Sequence, residues 1–448
     1  MRERDDRLLL SAVGQINHGG PQAVIDSEQA VVVANLNLDA GRKAVNMSDF
    51  FSAYSFFNHG ISFLPNGHWN DHYDMSLELF NWAVKCALMN ADHDSFNVLT
   101  SQIMHYAKCF EDRCQAISYT ISFLGWSGNV PDAIELINST LTNLGQGLPS
   151  KITPTVIKHD LDSTKALLAS LSDDTLLTYP VMENPSTILA LELLSKYYNM
   201  LNFVGERSAM LIIPLKVIQL SLTYGMSPIS PIGFAQYGNF LALVRDEFQE
   251  GYRYSKLALS LMKKLPSRAQ DGNVMFHSNC TRMYVEPMQS AIELYLDAYR
   301  AALKSGIPHL PCVSTYTYGM LSFWSGKGLK TVISSMKETL KETKYHKNLN
   351  ILRQMLPSFR MALRLMGEES SMPQQDQDSL INASDRTNKN DITGKHASYF
   401  HSLYFIRLTE ALIFRELDDA IEASKGYFSV DKGFHFALLA FNMVFRRL

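Results

Sequence analysis

The feature that most limits what this chain can fold into is the spacing of its apolar residues, which recur three and four positions apart in segment after segment. Phe50, Tyr54, Phe57, Ile61 and Leu64 fall on one helical stripe, and Tyr73, Leu77, Phe80 and Val84 on the next. Phe96, Leu99, Ile103, Tyr106 and Phe110 continue it, followed by Ile134, Ile137, Leu141 and Leu144. The pattern returns at Ile188, Leu191, Leu194, Tyr198 and Leu201, at Phe234, Tyr237, Leu241 and Val244, and at Met288, Ile292, Tyr295 and Tyr299. Such spacing lays each set along one face of a helix, and that face must be buried against neighbours. Alternation of period two is nearly absent, so the expected class is all-α.

Punctuation between the stripes supports short helices joined by short links. Asn129-Pro131, Thr153-Pro154, Asn184-Pro185 and Ser230-Pro231 place a capping side chain near a proline in the first turn, and Ser48-Asp49 and Asp94-Ser95 start helices without proline. Stops are expected at Gly19-Gly20, at Gly60 or Leu64-Pro65, at Gly145 to Gly147, at Leu265-Pro266 and at Gly306. Starts about 15–25 residues apart predict some eighteen to twenty helices, each antiparallel to the next. The length of 448 residues would suggest two to four compact domains at roughly 100–200 residues each. An antiparallel helix-hairpin array, a right-handed tetratricopeptide-like solenoid, accounts for that length better. Residues 367–395 contain no aromatic residue and are expected to be a mobile linker. They divide an array at 1–366 from C-terminal helices at 396–448.

Composition narrows the function. A hydrophobic content of 46% excludes a disordered chain. The net charge of −3 gives no footprint for nucleic acid. Lys327, Lys330, Lys337, Lys341, Lys344 and Lys347 are interleaved with Glu338 and Glu342, and read as a solvated helix face. Five scattered cysteines fit a reducing compartment, and no apolar run is long enough for a signal peptide or a membrane span. The expected location is cytoplasmic.

Internal repeats sharpen this. Asp132-Ala133-Ile134-Glu135-Leu136 is echoed by Asp419-Ala420-Ile421-Glu422-Ala423, and more loosely by Phe248, Gly251, Tyr252 and Ala258. A small alanine lets the second helix of a hairpin approach the first. The run Leu36-Asn37-Leu38-Asp39-Ala40-Gly41-Arg42-Lys43-Ala44 with Ser52-Ala53-Tyr54 goes further. Together with Gln15 to Gly19, Trp69 with Tyr73, Tyr224-Gly225, Ala235 with Tyr237-Gly238, and Glu286-Pro287 with Ala298-Tyr299-Arg300, it resembles the helical region of large multidomain signalling kinases. Those proteins join a Ser/Thr-kinase-like domain and an AAA-type ATPase module to the array, often followed by histidine-kinase or cyclase output domains. The resemblance spans roughly residues 8–365. It implies a coupling module whose partner is a protein or peptide, a kinase or ATPase domain among the choices.

Catalytic signatures of that family have no match here. The string from Gly319 to Gly326-Lys327 has too many intervening residues for a phosphate-cradling P-loop and lacks its hydroxyl. His68 and His72 stand at i,i+4, but no glutamate follows the first as in a zinc-protease helix, so they read as structural. Cys109 and Cys114 read as free thiols, and Gly125-Trp126-Ser127-Gly128-Asn129 as a turn. Gly41-Arg42-Lys43 is expected to end a helix, its cations near the negative end of the dipole. Arg42, Lys43, Tyr237, Arg253 and Arg300 are the candidate partner contacts. No catalytic, cofactor or metal site is expected. The function implied is a non-catalytic interaction scaffold, and the competing class is a piece of an active ATPase–kinase polypeptide. A transcriptional-regulator arm is disfavoured, since no basic face or DNA-binding helix is evident.

Overall fold

A computed structural model describes residues 2–24, 26–204, 207–267, 269–305, 309–345, 349–377 and 397–429. The fold is all-α and built of antiparallel helix hairpins. Among the described residues the only extended pairing is an isolated bridge between Val181 and Met226. The chain divides into two units, Met1–Gly147 and Leu148–Leu448, at the Gly145 to Pro149 stretch where a helix stop is expected.

The first unit holds α1 (Arg2–Gly19), α2 (Ser27–Asn46), α3 (Phe50–Phe63), α4 (His68–Asp71), α5 (Tyr73–Met89), α6 (His93–Tyr106), α7 (Phe110–Trp126) and α8 (Val130–Asn143). Its core gathers the predicted stripes: Phe57, Phe80, Val84, Phe96 and Ile103 are all buried. Two polar residues of the family-like runs meet here, since the amides of Asn17 on α1 and Asn37 on α2 donate to one another at 2.8 and 3.0 Å. Gly41 does not end α2 but lies inside it. A Cβ there would stand 2.4 Å from the Phe57 ring, so the glycine makes room for an aromatic of α3. Gly60 likewise lies inside α3, which ends at Phe63.

The second unit holds α9 (Pro154–Ala169), α10 (Asp173–Leu177), α11 (Pro185–Val204), α12 (Arg207–Tyr224), α13 (Ser230–Arg245), α14 (Phe248–Lys264) and α15 (Asp271–Val285). It continues through α16 (Gln289–Ser305), α17 (His309–Trp324), α18 (Leu329–Tyr345), α19 (Leu349–Leu365), α20 (Ala397–Phe414) and α21 (Leu417–Ser429). From α11 on, consecutive helices pack as hairpins, while α9 packs on α12 and α10 on α14; alternate helices also touch: α13 lies on α15, α15 meets α17, and α17 meets α19. The tightest crossing joins α13 to α14, where a Cβ on Gly238 would be 2.5 Å from the Gly251 carbonyl oxygen, and the reverse holds too. With the backbones in contact, α13 is enclosed from Ser230 to Ala242. Ala133, Ala258 and Ala420, the small residues of the internal repeats, are all buried.

Caps follow the predicted chemistry with shifts of position. Asp49 accepts from Ser52 N at 3.0 Å, Thr153 from Val156 N at 3.3 Å, and Asn184 from Thr187 N at 3.0 Å. Asp92, not Asp94, caps α6. Ser230 does not cap: it is buried, shares a hydrogen bond with Ser221 at 2.7 Å and accepts from Ser227 N at 2.9 Å. Of the segment expected to be a linker, residues 367–377 carry a 3-10 turn at Glu369–Ser371 and buried Met372 and Asp376. Residues 378–396 lie outside the described residues, as do 430–448. Asp376 pairs with Lys344 at 2.7 Å, and Lys327 pairs with Glu293 at 2.9 Å. These two lysines therefore tie elements together, whereas Lys330, Lys337 and Lys341 are exposed.

Gly238→Ala is expected to cost about 1–3 kcal/mol, because backbone stands where the new methyl would go. Gly14→Ala in α1, with nothing within 4 Å, should instead gain up to about 1 kcal/mol. Urea unfolding of each variant beside the parent measures both signs.

Candidate partner-binding site

Several of the residues expected to touch a partner are already engaged with the chain itself. Arg42 on α2 pairs with Asp39 at 3.4 Å and with Glu78 of α5, and Glu78 also accepts from Trp82 Nε1 at 3.3 Å. Arg253 donates to Asp173 at 2.7 and 3.1 Å and to Glu250 at 2.6 Å, with its guanidinium over the Tyr254 ring. The Asp173 hydrogen bond raises its pKa further, which fixes a permanent charge as a clamp between α10 and α14. Arg300 is exposed and pairs with its own Asp297 at 2.7 Å. Lys43 is half-buried one residue beyond Arg42.

Tyr237 corrects the expectation outright. It is 1% exposed and packs edge-on against Tyr254 at 5.0 Å, so its ring belongs to the core. Burial pushes its phenol pKa up, as it does for Tyr198 and Tyr295.

The structure draws together a polar group that spacing alone did not single out. On α13, Asn239 Nδ2 is in hydrogen-bond contact with His277 Nδ1 of α15 at 3.0 Å. Tyr198 of α11 stands edge-on to the same imidazole at 5.5 Å. Ser195, also on α11, donates to Gln270 Oε1 at 3.3 Å, and Asn273 donates to that oxygen at 3.4 Å. Three helices are thus stitched by side-chain amides, a hydroxyl and an imidazole. Beside Ser195, Lys196 is half-buried, and burial brings its pKa down to about 8 against the opposing pull of Glu192 one turn earlier.

This set is incompletely satisfied. Asn239 is 4% exposed, yet its Oδ1 has no hydrogen-bond partner among the described residues. The same holds for the hydroxyls of Ser278 on α15, Ser314 and Ser322 on α17, and Ser358 on α19. All lie on the alternate helices that touch one another in series. Buried polar atoms are normally paired, so a succession of unmet groups along one layer is where water or a ligand is called for. The signal for it in the sequence is a polar pair, Gln236 and Asn239, inside a helix otherwise apolar all round.

The remaining constellations do not assemble a chemical site. His68 Nδ1 shares a hydrogen bond with Ser76 Oγ at 2.8 Å, and its ring stacks on Phe80. Among the described residues no group of three or more His, Cys, Asp and Glu is placed to hold a metal ion. Cys114 is buried and donates to the Phe110 carbonyl, whereas Cys109 is exposed. Gly128, at φ 85°, turns the chain from α7 into α8. Gly319 lies within α17, so the near-match to a P-loop is helix and turn.

Burial, and then the nearby charge of His72, lower the pKa of His68 below 6.5. Between the folded and unfolded values the unfolded chain binds the proton more readily. The contribution is therefore full above pH 6.5 and is lost as pH falls through the folded value. His68→Gln should lose less stability than the parent on going from about pH 7.5 to about pH 5, measured by urea unfolding.

The chain matches no known protein-family model and no curated protein. Among solved structures it is similar to a Rap protein complexed with competence and sporulation factor, at 13% identity over 93% of this chain and 89% of that one, with a TM-score of 0.35. It is also similar to the Cut9–Hcn1 hetero-tetramer of the APC/C, at 12% identity, 100% and 94% coverage and a TM-score of 0.22. A third is Naa15/Naa10 bound to HypK-THB, at 11% identity, 99% and 76% coverage and a TM-score of 0.25. At these identities and scores the likenesses say nothing about activity or partner.

Proposed function

We propose that this chain is a non-catalytic helical-repeat scaffold that binds an extended protein segment along the polar layer of its second unit. The observation that carries the reading is the buried, half-met amide of Asn239 beside His277, in series with the unmet hydroxyls of α15, α17 and α19. A peptide backbone offers both N–H and C=O, and side-chain amides are the groups that meet both. The half-buried Lys196 and Glu192 flank the set with opposite charges. Extended segments gain affinity from such main-chain hydrogen bonds and specificity from adjoining side chains.

The family-like runs support a finer role, that of a coupling arm in a signalling ATPase–kinase system. Binding would shift the array between conformations and so bias an attached catalytic domain. The partner is then a protein or peptide, with a kinase or ATPase domain as the first to test. A piece of an active multidomain kinase remains the competing class, and in-frame P-loop and kinase segments beside this coding region would favour it.

Asn239→Leu separates binding from folding. It removes a desolvated carbonyl and one modest hydrogen bond together, so stability should change by no more than about 1 kcal/mol. Binding of an extended-peptide library to the full chain should fall at least roughly tenfold. Lys196 offers an independent readout. At about pH 8 it should be acylated at least roughly tenfold faster than surface lysines, and bound peptide should protect it. Unchanged binding by Asn239→Leu, with no protection of Lys196, would sink the proposal.

A further inference from the structure

One end of the first unit is built from three copies of the same turn. There α2 stops and α3 starts, as do α5 and α6, and α7 and α8. Each link holds one residue at positive φ, Ser48 at 62°, Ala91 at 56° and Gly128 at 85°, directly before the residue that opens the next helix. The N–H of that opening residue reaches back into the finished helix: Asp49 to the Ala44 carbonyl at 3.0 Å, Asp92 to Ala87 at 2.9 Å and Asn129 to Leu124 at 2.9 Å. Further contacts join the links into one surface. Asn90 Nδ2 donates to the Phe50 carbonyl at 3.1 Å, and the Phe123 ring of α7 lies 5.1 Å from His93 and 4.9 Å from Phe96 of α6.

This end exposes large apolar side chains, and its charge has one sign. Phe51 is 79%, Met47 54% and Trp126 44% exposed, and Val98, one turn past Asp94 on α6, is 59%. Large apolar side chains gathered on one exposed surface mark an interaction site. Residues 46–52, 88–95 and 124–132 include Asp49, Asp92, Asp94 and Asp132 and neither lysine nor arginine. Asp49 and Asp92 cap their helices through Ser52 N at 3.0 Å and Ser95 N at 3.1 Å, and Asp132 accepts from Asn129 Nδ2 at 2.6 Å. Three of the four carboxylates are thus held in place. A helix end of each sign meets at every link, so the dipoles offset and the carboxylates set the potential. The opposite end of the same unit differs, since Lys108 and Arg113 stand there among Asp71, Glu111 and Asp112.

We infer that this end docks a basic protein segment in which arginines are interleaved with large apolar side chains. Arginine is the cation that fits best, because its planar guanidinium both pairs with a carboxylate and lies on an aromatic face. The surface offers carboxylates beside Phe51 and Trp126. Nucleic acid and anionic membranes are repelled by the same carboxylates. A net charge of −3 makes a second copy of the chain, taken as a whole, a poorer occupant. The surface belongs to the first unit and does not rest on the peptide reading of the second.

Fluorescence anisotropy on the full chain tests it, with a labelled peptide of arginine and leucine beside one of glutamate and leucine in the same pattern. The basic peptide should bind, more weakly as salt is raised, and the acidic one should not. Asp49→Asn, Asp94→Asn and Asp132→Asn together remove three charges while asparagine keeps the cap. The urea midpoint should then hold, and affinity for the basic peptide should fall roughly tenfold. Phe51→Ser, at an exposed position, should lower affinity by at least roughly tenfold. Asn239→Leu, in the other unit, should leave it unchanged. No binding of the basic peptide, equal binding of both peptides, or unchanged affinity in either the charge variant or Phe51→Ser overturns the proposal. So does a dimer in sedimentation that Phe51→Ser dissolves, which assigns the surface to a second copy.

Discussion

Everything in this molecule depends on neighbouring helices burying one another's stripes. The helices described run to 20 residues at most, and helices of this kind draw most of their stability from packing an amphipathic face. Burial must then come from chain neighbours, which makes hairpins the unit of construction. Where hairpins approach most closely the side chains shrink to nothing, as at Gly238 and Gly251, and the backbones themselves touch. That contact encloses α13 and brings α15 onto it, and α15 is the helix that carries His277.

Enclosure has a chemical consequence. Once α13 is surrounded, its amides leave water whether or not they find partners. Asn239 meets His277 with one end and nothing with the other. A scaffold selected for stability alone would fill such a position with a hydrocarbon, since an unmet buried carbonyl costs about 1–3 kcal/mol. Keeping several unmet groups along one layer is a stability cost of the kind that functional sites carry. By contrast, half-buried arginines lie in pairs that bind the chain to itself. Arg253 clamps α10 to α14, and Arg364 of α19 joins Glu410 of α20 and Glu416 just before α21.

Much of the architecture was legible because helical periodicity is imposed residue by residue. The stripes through Phe57, Phe80 and Ile103 are core, and proline-linked caps such as Thr153 hold. What was not legible depends on contacts distant in sequence. Gly41 looks like a helix end until Phe57 is seen against it, and of the two stops offered for α3 the chain takes Leu64-Pro65, with Leu79 packed at Gly60. Tyr237 shares a polar hydroxyl with surface residues, but the neighbouring Tyr254 encloses it. The polar layer was hidden for the same reason. Asn239, His277, Ser195 and Gln270 are far apart in the sequence, and only folding places them together.

The most direct test of the account is amide-hydrogen exchange on the full chain, free and with a captured peptide or protein partner. The account predicts that protection concentrates in α11, α13, α15 and α17, around Ser195, Asn239 and His277, with little change at the exposed Arg300. Protection confined to residues 2–147, or none in the second unit at a saturating partner concentration, would contradict it.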